Sequence, residues 1–303
     1  MSYNLLSYAA DDGARAGMLI GDDVFDMEES APALNEIKGV DAASLISIFR
    51  AWQDAKPVID AAAQSPAGAG RPLSGVKLAA PLQYPGVMYM AGANYSDHVA
   101  EMAGSGSPPP AAKAPFFFLK TVAGTVIGTG EEIHLPAFSE KVDWEAEVAM
   151  VIGKPAKNLS PGNAIDCVAG YTIVNDLSAR DQSRRDDIIF VYDWIGQKCF
   201  DTAAPTGPWI VPADQIGDAN NLGIKLWVND TLHQDSNTGN LIFGYVDLLC
   251  WLSERVTLQP GDVIATGTPS GVGHGKGEYL SGGDVVTVEV ENIGKLSNPV
   301  VQD

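Results

Sequence analysis

Val142-Asp143-Trp144-Glu145-Ala146-Glu147-Val148-Ala149-Met150-Val151-Ile152-Gly153-Lys154 reads as a β-strand that opens on two carboxylates and ends in a Gly-Lys-Pro turn. Its apolar run, Val148 to Ile152, has strand length. Residues i and i+2 of a strand point to one face, so Glu145 and Glu147 lie side by side. Adjacent like charges destabilise a sheet unless something neutralises them, and a divalent cation is an economical neutraliser. Taken alone, the pair also fits a solvated strand face.

A third carboxylate strengthens the metal reading. Asn175-Asp176 follows the apolar strand Tyr171-Thr172-Ile173-Val174, so Asp176 sits at a strand end where a buried ligand would lie. It reads equally as a cap or turn residue. Glu145, Glu147 and Asp176 together offer oxygen and neither imidazole nor thiolate. Such a set favours Mg²⁺ or Mn²⁺, allows Ca²⁺ and disfavours Zn²⁺. An octahedral ion on three monodentate carboxylates keeps three positions. The keto oxygen and carboxylate of a 2-oxo acid fill two of them and leave one for water.

Other constellations flank this centre. In Gly92-Ala93-Asn94-Tyr95-Ser96-Asp97-His98-Val99-Ala100-Glu101-Met102, His98 and Glu101 are three apart and share a face of a short helix. A carboxylate orients an imidazole and raises its basicity, which makes a general base. The bland alternative is an exposed His-Glu pair with no task. Lys198, in Gln197-Lys198-Cys199-Phe200-Asp201, sits among apolar residues, where an ammonium needs an anionic partner or faces substrate. Ala265-Thr266-Gly267-Thr268-Pro269-Ser270-Gly271-Val272-Gly273 is rich enough in glycine for its N–H groups to hold a carboxylate. Gly275-Lys276-Gly277 lacks the Ser or Thr that follows a phosphate-loop lysine, which argues against nucleotides. His134, His233 and His274 have no partners at ligand spacing and read as surface or packing residues.

Composition narrows the partners. The 303 residues carry a formal charge of -19 and are 46% hydrophobic, enough for a core. That charge argues against nucleic acid and against anionic membrane surfaces, and an anionic substrate needs local positive charge. No apolar run approaches the ~20 residues of a membrane span, and no signal peptide is visible. Cys167, Cys199 and Cys250 are odd in number and far apart, which fits reduced thiols and a cytoplasmic location.

Residues 1–75 read as a small N-terminal α+β domain. Ala16–Ile20 and Val24–Met27 form a hairpin about Gly21-Asp22-Asp23, Ser44–Trp52 a helix, and 61–70 a linker. Residues 76–303 read as the metal-dependent catalytic domain. Short strands dominate it, including 87–90, 116–119, 148–152, 171–174, 224–228 and the alternating Val286, Val288 and Val290. Tyr245 to Arg255 is its clearest helix. The βα rhythm of a doubly wound sheet is absent, so the expected fold is mostly β with some α, a mixed β-sandwich roll. The stretch from Glu101 to Lys113, with Gly104-Ser105-Gly106-Ser107-Pro108-Pro109-Pro110, is a lid that orders over a ligand or a simple flexible loop.

In this order, these pieces resemble the fumarylacetoacetate hydrolase family. The matching parts are 92–98, 143–147 through 151–154, 175–181, Lys198 with 205–208, and 267–271. The resemblance covers 76 to the C-terminus, and the N-terminal unit is similar to the small domain that often precedes this region. It implies a β-sandwich roll of the family's C-terminal type, a homodimer, and Mg²⁺ or Mn²⁺ held by Glu145, Glu147 and Asp176. By motif match, His98 and Glu101 are the dyad of the acylpyruvate hydrolase branch, Lys198 the active-site lysine, and Thr268 the residue holding the substrate carboxylate. Lys120 and Arg180 stand in family-like positions for substrate contact. Arg184, Arg185, Tyr192 and Trp194 are expected near the mouth.

The expected activity is metal-dependent hydrolysis of the C–C bond of an acylpyruvate, such as fumarylpyruvate or maleylpyruvate, releasing pyruvate and a carboxylic acid. Aromatic-compound catabolism supplies such substrates. Alternatives on the same scaffold are a decarboxylase for oxaloacetate-type 2-oxo acids, a dienoate isomerase and a 2-oxopentenoate hydratase. A catalytically silent metal-binding protein is the rival of another class.

Overall fold

The structure is a computed structural model describing residues 1–11, 13–103 and 112–302. The chain opens with a meander of β1 (Asn4–Ala10), β2 (Gly13–Ile20) and β3 (Asp23–Asp26), and β2 and β3 form the expected hairpin. Two helices follow, α1 (Leu45–Arg50) and α2 (Trp52–Gln64). The single helix expected over Ser44–Trp52 breaks at Ala51, and α2 takes the first residues of the expected linker. The physical reason is composition: Ala55, Ile59 and Ala63 are spaced by four and buried on one face, and alanine is the best helix former.

The remaining elements that frame the site are β4 (Met88–Gly92), α3 (Ser96–Ala103), β5 (Phe116–Lys120), β6 (Ala146–Ile152), β7 (Val168–Asn175) and α4 (Trp194–Lys198). After them come β8 (Ala204–Pro212), β9 (Gly223–Val228), β10 (Thr231–Asn237), α5 (Tyr245–Arg255), β11 (Val263–Ala265), β12 (Val285–Val290) and β13 (Gly294–Gln302). One large mixed sheet has the order β3-β2-β1-β8-β7-β6-β11-β4-β5, with the short strand Arg71–Pro72 outside β3. Its β11–β4 pair is parallel. The sheet runs across residue 75, because β1 pairs with β8 at Leu5↔Ile210. A second sheet has the order β10-β9-β12-β13, closed by Ile133–Leu135. The result is the expected mostly β, mixed-sheet architecture.

Central strand β6 is buried along its whole length. Val148, Met150 and Ile152 enter a core shared with β9, β12 and α5, while Ala149 and Val151 enter another shared with β1, α1 and α2. A strand covered on both faces has no polar side to alternate with, which explains the continuous apolar run. Each fully buried Val, Ile or Met contributes about 1.5–3 kcal/mol relative to exposure. β6 and β7 run antiparallel from Ala146↔Asn175 to Ile152↔Val168, so Glu145 and Asp176 emerge together at one end of the buried ladder. Among the described residues, no helix is long and apolar enough to cross a membrane.

Candidate active site

At that end of the ladder the backbone itself sets two carboxylates side by side. Asp176 donates its N–H to the Glu145 carbonyl at 2.8 Å, and the Asn175 side chain accepts the Glu145 N–H at 3.0 Å. Glu147, one pleat further along β6, joins them. One carboxylate oxygen from each of Glu145, Glu147 and Asp176 lies within 4.8 Å of the others, and all three residues are buried.

Two buried ammonium groups face these three carboxylates. Lys198 Nζ bridges Glu145 Oε2 at 2.8 Å and Asp176 Oδ2 at 2.7 Å. Lys120 Nζ reaches Asp176 Oδ1 at 2.5 Å and the Leu177 carbonyl at 2.8 Å. Arg180 pairs with Asp143 at 2.8 Å and with Glu145 Oε1 at 2.6 Å. Glu147 accepts the Gly267 N–H at 2.8 Å. Burial opposes ionisation of Glu145, but Lys198 and Arg180 outweigh it and hold that carboxyl below the usual range. Burial, Asp176 and Glu145 push Glu147 well above it. Burial works against the Lys198 ammonium too, yet Asp176 and Glu145 raise its pKa. A hard divalent cation fits this set: the donors are all oxygen, and Glu147 is the carboxylate that the lysines do not neutralise.

His98 and Glu101 lie on α3, as their spacing predicts, with Nδ1 and Oε2 3.3 Å apart. Burial again opposes the charge on Glu101, but His98 and the Gly271 N–H hold it ionised. An ionised carboxylate only accepts, so His98 Nδ1 carries the proton of this pair. The opposite oxygen of Glu101 accepts the Gly271 N–H at 2.9 Å.

The glycine-rich loop spends its N–H groups differently from expectation. Gly267, Gly271 and Gly273 donate to Glu147, Glu101 and Asp143, so the protein's own carboxylates take the place expected for a substrate carboxylate. The loop thereby ties the carboxylate cluster, the His98–Glu101 pair and the Asp143–Arg180 pair into one unit. Trp144 Nε1 pins it from below through the Gly271 carbonyl at 3.1 Å. Asn94, in what reads as a glycosylation sequon, is buried and holds the loop through the Thr266 and Phe243 carbonyls.

A cavity of about 840 Å³ opens over these groups. His98, Glu145, Glu147, Arg180, Lys198 and Thr268 all line it. Thr268 Oγ1 accepts from Gln234 Nε2 at 2.8 Å, and Gln234 gives its other proton to the Pro269 carbonyl, so the Thr268 hydroxyl proton is free for a ligand. Lys120 departs from the expected substrate contact. Its side chain has no exposed surface and is engaged by Asp176 and the Leu177 carbonyl, behind the carboxylate cluster. Arg180 reaches the cavity wall with its guanidinium already committed to Asp143 and Glu145. Of the expected mouth residues, Tyr192 and Trp194 line the cavity, while Arg185 pairs with Asp187. His274, expected to be a surface or packing residue, stands on the wall with Nδ1 3.1 Å from the Tyr279 hydroxyl. Gln234 carried no sequence signal, and Asp143 entered only within the matching run 143–147, with no role assigned. The part of the expected lid from 104 to 111 lies outside the described residues.

A model of the fumarylacetoacetate (FAA) hydrolase C-terminal family matches residues 87–301. Oxaloacetate tautomerase fahd2, mitochondrial, of Xenopus laevis is 43% identical over 230 residues, 75% of this chain and 69% of that protein. Oxaloacetate tautomerase FAHD2B, mitochondrial, of Homo sapiens is 41% identical over 233 residues, 76% of this chain and 71% of that protein. Maleylpyruvate hydrolase from Sphingobium sp. SYK-6, in complex with manganese(II) ion and pyruvate, superposes with a TM-score of 0.76 at 30% identity, covering 99% of both chains. 5-Carboxymethyl-2-hydroxymuconate delta-isomerase from Mycobacterium smegmatis gives a TM-score of 0.74 at 32% identity, covering 99% of this chain and 100% of the other.

Proposed function

Because the chain belongs to the fumarylacetoacetate hydrolase family, we propose that it is a divalent-metal-dependent enzyme acting on 2-oxo acids, and that its reaction is hydrolysis of an acylpyruvate to pyruvate and a carboxylic acid. The observation that carries this reading is the His98–Glu101 pair, which opens onto the same cavity as the three buried carboxylates. Mg²⁺ or Mn²⁺ held by Glu145, Glu147 and Asp176 would supply positive charge for the 2-oxo acid and for the enolate that cleavage releases.

The chain's own residues do the rest. Glu101 fixes the His98 ring so that Nε2 faces the cavity as the base. His98 takes one proton from water, and the water oxygen bonds to C4 of the substrate. The C3–C4 bond then breaks, its electron pair stays on the pyruvate fragment as the enolate, and the proton on His98 returns to C3. Acyl carbon C4 leaves as the carboxylic acid. Lys198, held by Glu145 and Asp176, places a fixed positive charge where the enolate develops, and such preorganised charge is a large catalytic term. Thr268 offers its hydroxyl proton to the substrate carboxylate.

A second reading has its own support. Tautomerisation of oxaloacetate moves a proton between the C2 oxygen and C3 with the same base and no attacking water, and the curated relatives above carry that activity in their names. One panel separates the two. The metal-loaded protein is given acylpyruvates and enol-oxaloacetate, and pyruvate release and ketonisation are followed with and without EDTA. Metal-dependent pyruvate release supports hydrolysis; ketonisation without any cleavage of acylpyruvates would replace it with tautomerisation.

We also propose a homodimer. Ile189, Phe190 and Ile195, which flank Tyr192 and Trp194 in sequence, are exposed apolar side chains suited to a second copy. Light scattering of the wild type and of Phe190→Ser measures this directly, and a monomeric wild type overturns it.

A further inference from the structure

We propose that the variable end of the substrate is a neutral, flat, unsaturated or aromatic acyl group, received by a shelf of aromatic rings, and not a second carboxylate. This rests on the 2-oxo acid reading of the site and specifies its other end.

The shelf is built of rings on β5, on α4 and in the segment just before α4. Phe118 of β5 stacks on Trp194 of α4 with centroids 5.1 Å apart and planes 10° apart. Trp194 continues to Tyr192 at 5.9 Å and 15°. Phe116 leans on Trp194 at 5.4 Å and 44°. All four line the cavity. The stack starts at the reacting end, because Lys198 Nζ stands 5.0 Å from the Phe118 ring centroid, and it ends at the exposed Tyr192. A planar tail leaving C4 therefore meets ring faces and edges, with which flat unsaturated groups pack in offset or edge-on geometry.

The cations point the same way. Among the described residues lining the cavity, the lysine and arginine are Lys198 and Arg180, and both are bonded to Glu145 and a second carboxylate. The imidazole of His274 is engaged by Tyr279, and burial, reinforced by Arg180, pulls its pKa down towards the neutral form. Lys113 lies on a different concavity with Asp247 and Glu254. The segment 104–111 consists of Gly, Ser, Pro and Ala and adds no cation. Arg184 stands over the Tyr192 ring at 5.3 Å, at the rim. A carboxylate drawn into this cavity beyond the reacting end would lose water and find no lysine or arginine free of carboxylate partners among the described residues lining it, in a protein of net charge -19.

The test compares benzoylpyruvate, acetylpyruvate and fumarylpyruvate on the full-length, Mn²⁺-loaded protein, measuring both binding by calorimetry and kcat/KM. The expected result is binding of benzoylpyruvate at least about tenfold tighter than fumarylpyruvate. Trp194→Leu should collapse that ratio, and Arg184→Ala should leave it standing. Equal or tighter binding of fumarylpyruvate overturns the proposal, most clearly if Arg184→Ala abolishes it. Should Trp194→Leu fail to fold, the wild-type ratio alone decides. Tight benzoylpyruvate binding with no cleavage of any of the three supports the shelf and removes the hydrolase reading, so the two fail separately.

Discussion

Gly271 donates its N–H to Glu101 Oε1 at 2.9 Å from a backbone φ of +102°, and a Cβ at that position would stand 2.0 Å from the His233 carbonyl oxygen. Only glycine makes this contact without moving the loop. Gly271→Ala therefore shifts the anchor of the dyad, and a shift of about 1 Å costs on the order of 100-fold in turnover. We expect that loss in kcat with metal affinity little changed, because Gly267 and the carboxylate cluster lie at the other end of the loop. Kinetics and metal titration on the folded variant check it; unaltered kcat would refute the anchoring role.

Removing the base itself is the sharper version. His98→Ala should lower acylpyruvate turnover by about 10²–10⁴-fold, the usual weight of a positioned acid–base group, and leave metal binding intact. Glu101→Gln keeps an oxygen for Gly271 and for His98 but removes the charge beside the imidazole, so its loss in turnover should be smaller than that of His98→Ala. Full activity in His98→Ala would move the chemistry away from α3.

The metal-free protein should weaken as pH rises. Burial, Asp176 and Glu145 raise the folded pKa of Glu147 above its ordinary value of 4.5. A group raised in the folded state contributes fully below the unfolded value and loses that contribution as pH climbs through the folded value. Glu145 is shifted downwards, so it stays ionised in both states above pH 5 and adds no slope there. Metal binding needs all three carboxylates ionised, so the gap in melting temperature between Mg²⁺-loaded and EDTA-treated protein should widen from about pH 5.5 to pH 8. A gap that narrows over this range contradicts the assignment.

Glu147→Gln separates repulsion from ligation. It removes the carboxylate that pairs with neither lysine while keeping an acceptor for the Gly267 N–H. The metal-free variant should melt higher than the metal-free wild type, and its metal affinity should fall by at least about 10-fold. A variant that melts lower in EDTA would show that Glu147 is structural.

Lys198→Met acts in the opposite direction. It leaves Glu145 with Arg180 alone and Asp176 with Lys120 alone, all buried, and breaking a buried pair from one side costs up to about 3–5 kcal/mol. Denaturant unfolding in EDTA should show this loss. Added Mg²⁺ should recover part of it, since a cation takes over the neutralisation, while turnover stays low.

The clustering of the three carboxylates was legible in the sequence because strand periodicity is local. Glu145-x-Glu147 and Asp176 follow directly from the period of two and the end of an apolar run, and His98-x-x-Glu101 from a helical turn. The burial of Lys120 was hidden, because it depends on β5 packing behind Asp176, which spacing does not encode. The fate of the Gly267, Gly271 and Gly273 N–H groups was equally hidden, since their partners are up to 170 residues away. In the scaffold, β8 was missed because Pro205, Gly207, Pro208 and Pro212 read as loop residues; its pairing with β7 absorbs them with a register shift. Helix α2 was missed because alanine reads as linker as readily as helix.

Helix α4 is five residues long and capped by Asp193, which accepts the Gly196 N–H at 2.8 Å. It carries Trp194 at one end and Lys198 at the other, one turn and roughly 6 Å apart along its axis. The shelf for the tail and the ammonium on the carboxylates are therefore two ends of one short lever. On the proposed reading, a tail that displaced Trp194 would displace the Lys198 ammonium with it. Discrimination built this way would show up in the speed of the reaction as much as in the tightness of the grip.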